Sequence, residues 1–523
     1  MPPTRPLFPA LAGLLLPASL LPAEIRRESI YSRPQIPSKE ALERLNLRQA
    51  WYAYIPTNGG RDALVRVELN GKDLFVLTRS GTVQRMDAET GRVHWRANVG
   101  KPYTMLPFFG ANERSVYVIA NAKMLGLDRA TGRKKWEYDL PGGLSASPAV
   151  DEKQVYVPDS TTRLRAYLLP FVTEETVAAP GEINRRSALY GGDLDDSGPR
   201  PRLTWSDVTN IQLTFKPLQT AEVVFVISPS GKALAYAKLP REGQSTTELY
   251  SLSTDGKIRV PPGSYGETAY VGSDDAALYA INMTTGKLRW RHTAGTPITR
   301  SPATTGKDVY VTSDREGLAR IDRESGDSMW RIPSGRSFVT ANPQADRFLA
   351  ANDRFVYATD ASGRLLVLDH KRGIRLSGLD TRCYRVPVIN EVTDRLYLAA
   401  NDGLIVCLHD RDQVAPIRHQ KALEDANSPV LKLLETKIEE PIGKEVTLRE
   451  ALIDLRTRYK IKITLAVPRF LEAKLEDPSE KKIAPPRTDK KTLRDHLERM
   501  LKPLGMAIEV EGQVVLIVPV IKK

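Results

Sequence analysis

The sequence predicts an all-β chain: an eight-bladed β-propeller, with seven blades as the alternative, followed by a small α+β domain. Three observations predict it. A proline follows a tryptophan or tyrosine by twelve residues five times, at Trp95–Pro107, Trp136–Pro148, Trp205–Pro217, Tyr250–Pro262 and Trp290–Pro302. A sixth pair, Trp330 and Pro343, is one residue longer. Upstream of most of these aromatics lies a turn signature such as Asp87-Ala88-Glu89-Thr90-Gly91 or Asp322-Arg323-Glu324-Ser325-Gly326. The third observation is the period: Trp95 to Trp136 is 41 residues and Trp290 to Trp330 is 40, which fits one four-stranded blade.

Along the chain, residues 1–23 have the layout of an export signal. Arg5 is the only early charge, an apolar stretch runs from Leu7 to Leu21, and Ala23 offers a small residue for cleavage before Glu24. Prolines at 6, 9, 17 and 22 make it a poor membrane helix, and no transmembrane span is expected once it is cleaved. Residues 24–45 form an N-terminal extension, and the propeller occupies 46–410.

Each repeat reads as four short strands. The first starts near the proline. Alternating runs such as Asp308-Val309-Tyr310-Val311-Thr312 form the second, and a Gly/Asp/Ser turn leads to the third. In the Asp-x-x-Thr-Gly turn, Asp and Thr bond back to local amides and Gly accepts a positive φ. The aromatic of the fourth strand is expected to wedge between neighbouring blades, its N–H donating to a carbonyl of the next blade. Trp51, Trp95, Trp136, Trp205, Tyr250, Trp290 and Trp330 are therefore assigned to blade docking. Eight central hairpins can be counted. The last, near 395–409, has no tryptophan downstream, so Trp51 and the strand from Ala50 to Ile55 are expected to complete its blade and remove the sheet edge. The seventh repeat is degenerate: no aromatic follows Asp369-His370-Lys371-Arg372-Gly373.

Residues 170–203 stretch the third repeat and read as an inserted loop. Asp193, Asp195 and Ser197 within it imitate the start of a calcium loop, but Thr204 stands where a bidentate Glu is required, so a solvated acidic loop is the expectation. Residues 411–429 form a linker. Beyond it, 430–523 hold two amphipathic helices opened by Thr447-Leu448-Arg449-Glu450 and Thr492-Leu493-Arg494-Asp495, with a strand and a hairpin completing an α+β module.

The formal charge of +13 is diffuse. Residues 428–523 carry 20 basic against 15 acidic residues, and no basic stripe with interleaved aromatics is present, which argues against nucleic-acid binding. The two cysteines, Cys383 and Cys407, fall by repeat position on the first and third strands of one blade. That is about 9.5 Å apart, too far for a disulfide, and both are expected to be buried free thiols. The six histidines lack metal-ligand spacing.

The Asp-x-x-Thr-Gly-x-x-x-Trp repeats resemble the pyrroloquinoline-quinone-like propeller repeats of quinoprotein dehydrogenases and of BamB-like subunits of the outer-membrane β-barrel assembly machinery. The likeness covers 46–410. The C-terminal segment is similar to the short N-terminal domain of secretins and TonB-dependent receptors, at Thr447–Leu452 and Leu501–Met506. It implies a periplasmic protein-contact module. The adjacent cysteines of the quinoprotein enzymes are missing, as is a Cys-x-x-Cys-His haem site. No catalytic residue, cofactor or metal is therefore assigned. The expectation is an exported, non-enzymatic scaffold of the bacterial envelope whose partners are envelope proteins, an outer-membrane assembly or secretion complex among them. A quinone- or carbohydrate-acting enzyme and a small-molecule sensor, each using the central channel, are the alternatives.

Overall fold

The computed structural model describes residues 34–57, 62–100, 108–120, 122–170, 193–195, 198–239, 248–419, 429–436, 446–459, 461, 463–465, 481–483, 492–511 and 514–519. The signal segment and Pro107 lie outside them. The chain divides into two units, 1–417 and 418–523.

The first unit is a propeller. Sheet 1 is Leu64–Asn70, Asp73–Thr78, Thr82–Asp87 and Val93–Asn98, antiparallel in chain order. Six more four-stranded sheets follow, opening at Phe108 (sheet 2), Ala149 (3), Leu218 (4), Gly263 (5), Ala303 (6) and Arg347 (7). Sheet 8 has three strands, Leu396–Ala399, Leu404–Asp410 and, on its outside, the N-terminal Leu47–Tyr54. Leu47 faces Asp410 and Tyr54 faces Leu404, so the first strand of the unit closes the last sheet.

Burial explains the strand patterns. Second strands such as Asp73–Thr78 and Ser115–Ala120 are buried at every position, because a neighbouring sheet covers each face. Outer strands bury little beyond the aromatic: in Val93–Asn98 only Trp95 is buried. A bulge beside the aromatic recurs. In sheets 1, 2 and 5 the residue before the tryptophan (His94, Lys135 or Arg289) drops out of register with the third strand, which turns the ring toward the next sheet.

Sheet 6 departs from the repeat. Its outer position is split between a bridge at Ser328 and the short strand Ala341–Asn342, with a hairpin, Ile332–Ser334 and Ser337–Val339, between them. Trp330 therefore stands beside a bridge and not on a fourth strand, although it is fully buried. Cys383 corrects another expectation. Only Val386 bridges to the second strand of sheet 8, so the inner strand is missing there and Cys383 sits half-buried in a turn. Cys407 is buried on the third strand, and burial raises both thiols above the ordinary range.

Neighbouring sheets are also joined by buried charge. Asp73 forms an ion pair with Arg85 of its own sheet at 2.8 Å and accepts from Arg129 of sheet 2 at 2.6 Å. Asp308 repeats this with Arg320 at 2.9 Å and His370 of sheet 7 at 3.1 Å. Burial alone would raise the Asp308 carboxyl, but its bonds to His370 and Arg320 outweigh this and hold it below the ordinary value.

The second unit packs two longer helices and the short helix Pro429–Leu434 with a three-stranded sheet around one core. Leu448–Tyr459 and Leu493–Leu501 bury Leu448, Ala451, Leu452 and Leu455 on one and Leu493, Leu497, Met500 and Leu501 on the other. Both starts are capping boxes: Thr447 with Glu450, and Thr492 with Asp495. The hairpin Met506–Glu511 and Val514–Pro519 receives Ile463–Leu465 as a parallel neighbour. No helix among the described residues is long and apolar enough to cross a membrane.

Three outcomes are expected. In urea unfolding, Gly326→Ala costs about 3 kcal/mol, since its φ is +79° and an added Cβ would lie 2.6 Å from the Trp290 ring. Gly335→Ala, at φ +61° with nothing within 4 Å, costs about 1 kcal/mol; equal losses would show that the ring contact contributes nothing. The stability that Asp308 gains from its lowered pKa is full above the ordinary value of 3.8 and is lost as pH falls through the lower folded value. Asp308→Asn should therefore destabilise by about 2 kcal/mol at neutral pH and by much less near pH 2. Disulfide-exchange labelling should modify one thiol of the native chain, abolished by Cys383→Ser, and two after denaturation.

Candidate functional site

Three places were candidates from the sequence: the joints between sheets, where the aromatic set was placed, the central channel, and the calcium-like stretch at Asp193, Asp195 and Ser197. At the joints the geometry repeats. Trp51 Nε1 donates to the Ala88 carbonyl at 3.0 Å, Trp95 to Arg129 at 2.7 Å, Trp205 to Lys238 at 3.1 Å, Trp290 to Arg323 at 2.9 Å and Trp330 to His370 at 2.9 Å. The Tyr250 hydroxyl donates to the Met283 carbonyl. Each acceptor belongs to the next sheet. In most cases it is the residue after the Asp or Asn that opens the turn.

The glycine of that turn is constrained by the same ring. A Cβ at Gly91 would lie 2.6 Å from Trp51, at Gly132 2.5 Å from Trp95 and at Gly373 2.4 Å from Trp330. Trp136 is buried among residues of sheets 2 and 3, including Tyr117, Val155 and Tyr167. Removing one such ring would cost about 3–5 kcal/mol.

The outer strand of sheet 7, Arg375–Leu379, contributes no aromatic to the joint with sheet 8. The sequence held no repeat signal for what replaces it. The short helix Lys39–Glu43, capped by Ser38, brings Leu42 into a core with Leu45, Tyr357, Val367 and Leu408. Buried Asp410 accepts from Asn46 at 2.7 Å and from Asn352 at 3.0 Å, and Arg354 pairs with Asp412 at 2.6 Å.

The inner strands border a channel cavity of about 400 Å³, lined by residues of sheets 1 to 5, by Ser301 and Pro302 ahead of sheet 6, and by Glu391. Glu391 accepts from the Thr304 N–H at 2.5 Å and from its hydroxyl at 3.1 Å. Burial holds this carboxyl above the ordinary range, the Thr304 bonds notwithstanding. Glu68, Asn70 and Gln219 also face the cavity. Gln219 donates to the Val150 carbonyl at 2.6 Å. Sequence reasoning singled out none of these, because they come from repeats far apart and match no motif.

Of the calcium-loop candidates, Asp193 and Asp195 lie on a strand, Asp193–Asp195, paired antiparallel with Gly198–Arg200, and Ser197 lies outside the described residues. Among the described residues no three His, Cys, Asp or Glu side chains are grouped to hold a metal ion. His370 is engaged by Asp308, and His292 Nδ1 lies 3.0 Å from the Gly326 carbonyl.

Comparison with known proteins bears on this architecture. One curated relative, the polyvinylalcohol dehydrogenase of Pseudomonas sp, is 24% identical over 274 residues, which is 49% of this chain and 37% of that protein. The chain thus spans little more than a third of that relative. Among solved structures, BamB from Moraxella catarrhalis matches at 16% identity and a TM-score of 0.48, over 69% of this chain and 97% of that one. The computationally designed Ika8 protein matches at 13% and 0.48, over 69% of this chain and all of its own. The family model of the outer membrane protein assembly factor BamB matches residues 43–182 and 219–407, so its two segments run from the closing strand of sheet 8 through to the third strand of the same sheet. By that match, over more than half its length, the chain belongs to the family of the outer membrane protein assembly factor BamB.

Proposed function

We propose that this chain is a non-enzymatic interaction propeller of the bacterial cell envelope, exported to the periplasm, which docks envelope proteins of an outer-membrane assembly or secretion complex. In this reading the aromatic set joins eight blades into one ring, and the C-terminal unit is a second protein-contact module. The supporting observation is the character of the outer strands. Each ends a sheet, and several expose large apolar side chains: Tyr52 and Tyr54 are 51% and 58% exposed, Leu288 is 53% and Leu376 is 50%. An unpaired strand edge with apolar side chains accepts a partner strand or an apolar face. Tyr52 and Tyr54 form an edge-to-face pair with ring centroids 6.3 Å apart, a ready aromatic anchor on the strand that closes sheet 8.

A second reading, a quinone-dependent oxidoreductase, is favoured by the Pseudomonas relative and by the acidic channel. The channel residues do not fit that cofactor well. Glu68 and Glu391 supply two carboxylates, no three His, Cys, Asp or Glu side chains are grouped for a metal among the described residues, and Cys383 and Cys407 are not adjacent. No step through a quinone follows from these side chains.

Capture from envelope extracts on the immobilised full chain should recover a defined set of proteins. Tyr52→Ser combined with Tyr54→Ser should reduce that recovery about tenfold while leaving the unfolding midpoint within a degree or two. Deleting 418–523 should remove a different subset. An unchanged set in both variants would overturn the reading. Dye-linked oxidation of polyvinyl alcohol on adding quinone and calcium would replace it with the second.

A further inference from the structure

A cleft of about 410 Å³ lies apart from the outer strands. It is bordered by the turn between the second and third strands of sheet 7, by Arg300 ahead of sheet 6, and by the segment around Val386 that bridges to sheet 8. Its charged lining is Arg300, Arg347, Arg382 and Arg385 against Asp346 and Asp360.

Both carboxylates are already committed. Asp346 accepts two bonds from Arg300, at 2.7 and 3.1 Å. Asp360 accepts from the Ser362 N–H and hydroxyl and from the Arg364 N–H, all within its own turn. Arg382 pairs with Asp380 at 2.6 Å.

Arg347 is the exception. It opens the innermost strand of sheet 7 and is half-buried, and no hydrogen bond or ion pair holds its guanidinium among the described residues. Arg385 is exposed and likewise unpaired among them. The carboxylate nearest in effect, Asp346, is bonded to Arg300, and a half-buried guanidinium with no bonded partner of its own is costly. Burial, and the Arg300 charge beside it, weaken the hold of Arg347 on its proton. A planar guanidinium also matches a carboxylate or phosphate by two parallel bonds. The remaining lining is partly apolar: Leu349, Val386, Val388 and Leu398 form walls that a bare inorganic ion would leave uncovered.

We propose that this cleft binds a small organic anion, its carboxylate or phosphate held by Arg347 with Arg300 and Arg385, and its apolar body against Leu349 and Val386. This site is independent of the envelope-docking reading, which concerns the outer strands.

Calorimetric titration of the full chain with inorganic phosphate, phenyl phosphate and benzoate tests it. Phenyl phosphate or benzoate should bind saturably, about tenfold tighter than inorganic phosphate. Whichever of the two binds tells a phosphate ligand from a carboxylate one. Arg347→Gln should weaken that binding about tenfold or more, whereas Arg331→Gln, an exposed arginine outside the cleft, should leave it unchanged. Should Arg347→Gln fail to fold, Arg385→Gln carries the same test, with a loss of about threefold expected at this exposed position. Absence of saturable binding, or binding untouched by the cleft variant, would overturn the site. Inorganic phosphate binding as tightly as phenyl phosphate would overturn the organic ligand class.

Discussion

The propeller depends on one contact made repeatedly: an aromatic ring of one sheet seated on the turn of the next, its polar hydrogen given to a backbone carbonyl there. The ring supplies apolar area that a thin outer strand could not otherwise bury. The hydrogen bond fixes its orientation, since an unpaired indole N–H inside the joint would cost what the burial gains. The turn glycine completes the fit, because any side chain there would occupy the space of the six-membered ring. Three sequence features, Asp, Gly and Trp, thus serve a single joint, though the first two lie one repeat away from the third.

That separation decides what could be read from the chain alone. The aromatic positions were legible, because a period near forty residues exposes them, and so was the closing role of Trp51, which keeps the same spacing. The positive φ of the turn glycines was legible from the turn chemistry. Their contact with an indole was not, since Gly91 and Trp51 belong to different repeats. Trp330 misled in another way: a hairpin replaces its outer strand within nearly the same length, so the spacing to Pro343 conceals the change. Cys383 was placed on a strand by repeat arithmetic where only a single bridge exists.

The least legible joint is the one whose outer strand carries no aromatic. Between sheets 7 and 8, Leu42 and Leu45 come from outside the repeats, and Asp410 gathers Asn46 and Asn352 around it. No local pattern announces such a substitution. The channel carboxylates and the arginine cleft share this property: each draws single residues from several repeats, and a site assembled that way has no motif.

Closure of sheet 8 by Leu47–Tyr54 has a consequence for biogenesis. Leu47–Tyr54 leaves the ribosome well before Leu404–Asp410, some 350 residues later, and must wait for it before it finds its partner. Until then Leu47–Tyr54 has no strand to pair with, and strand edges stay open at both ends of the growing array. A pairing so distant along the chain makes the final step slow relative to formation of the individual hairpins. The nascent protein therefore passes through a long interval as an open arc, and holding that arc apart from other chains is a task for chaperones.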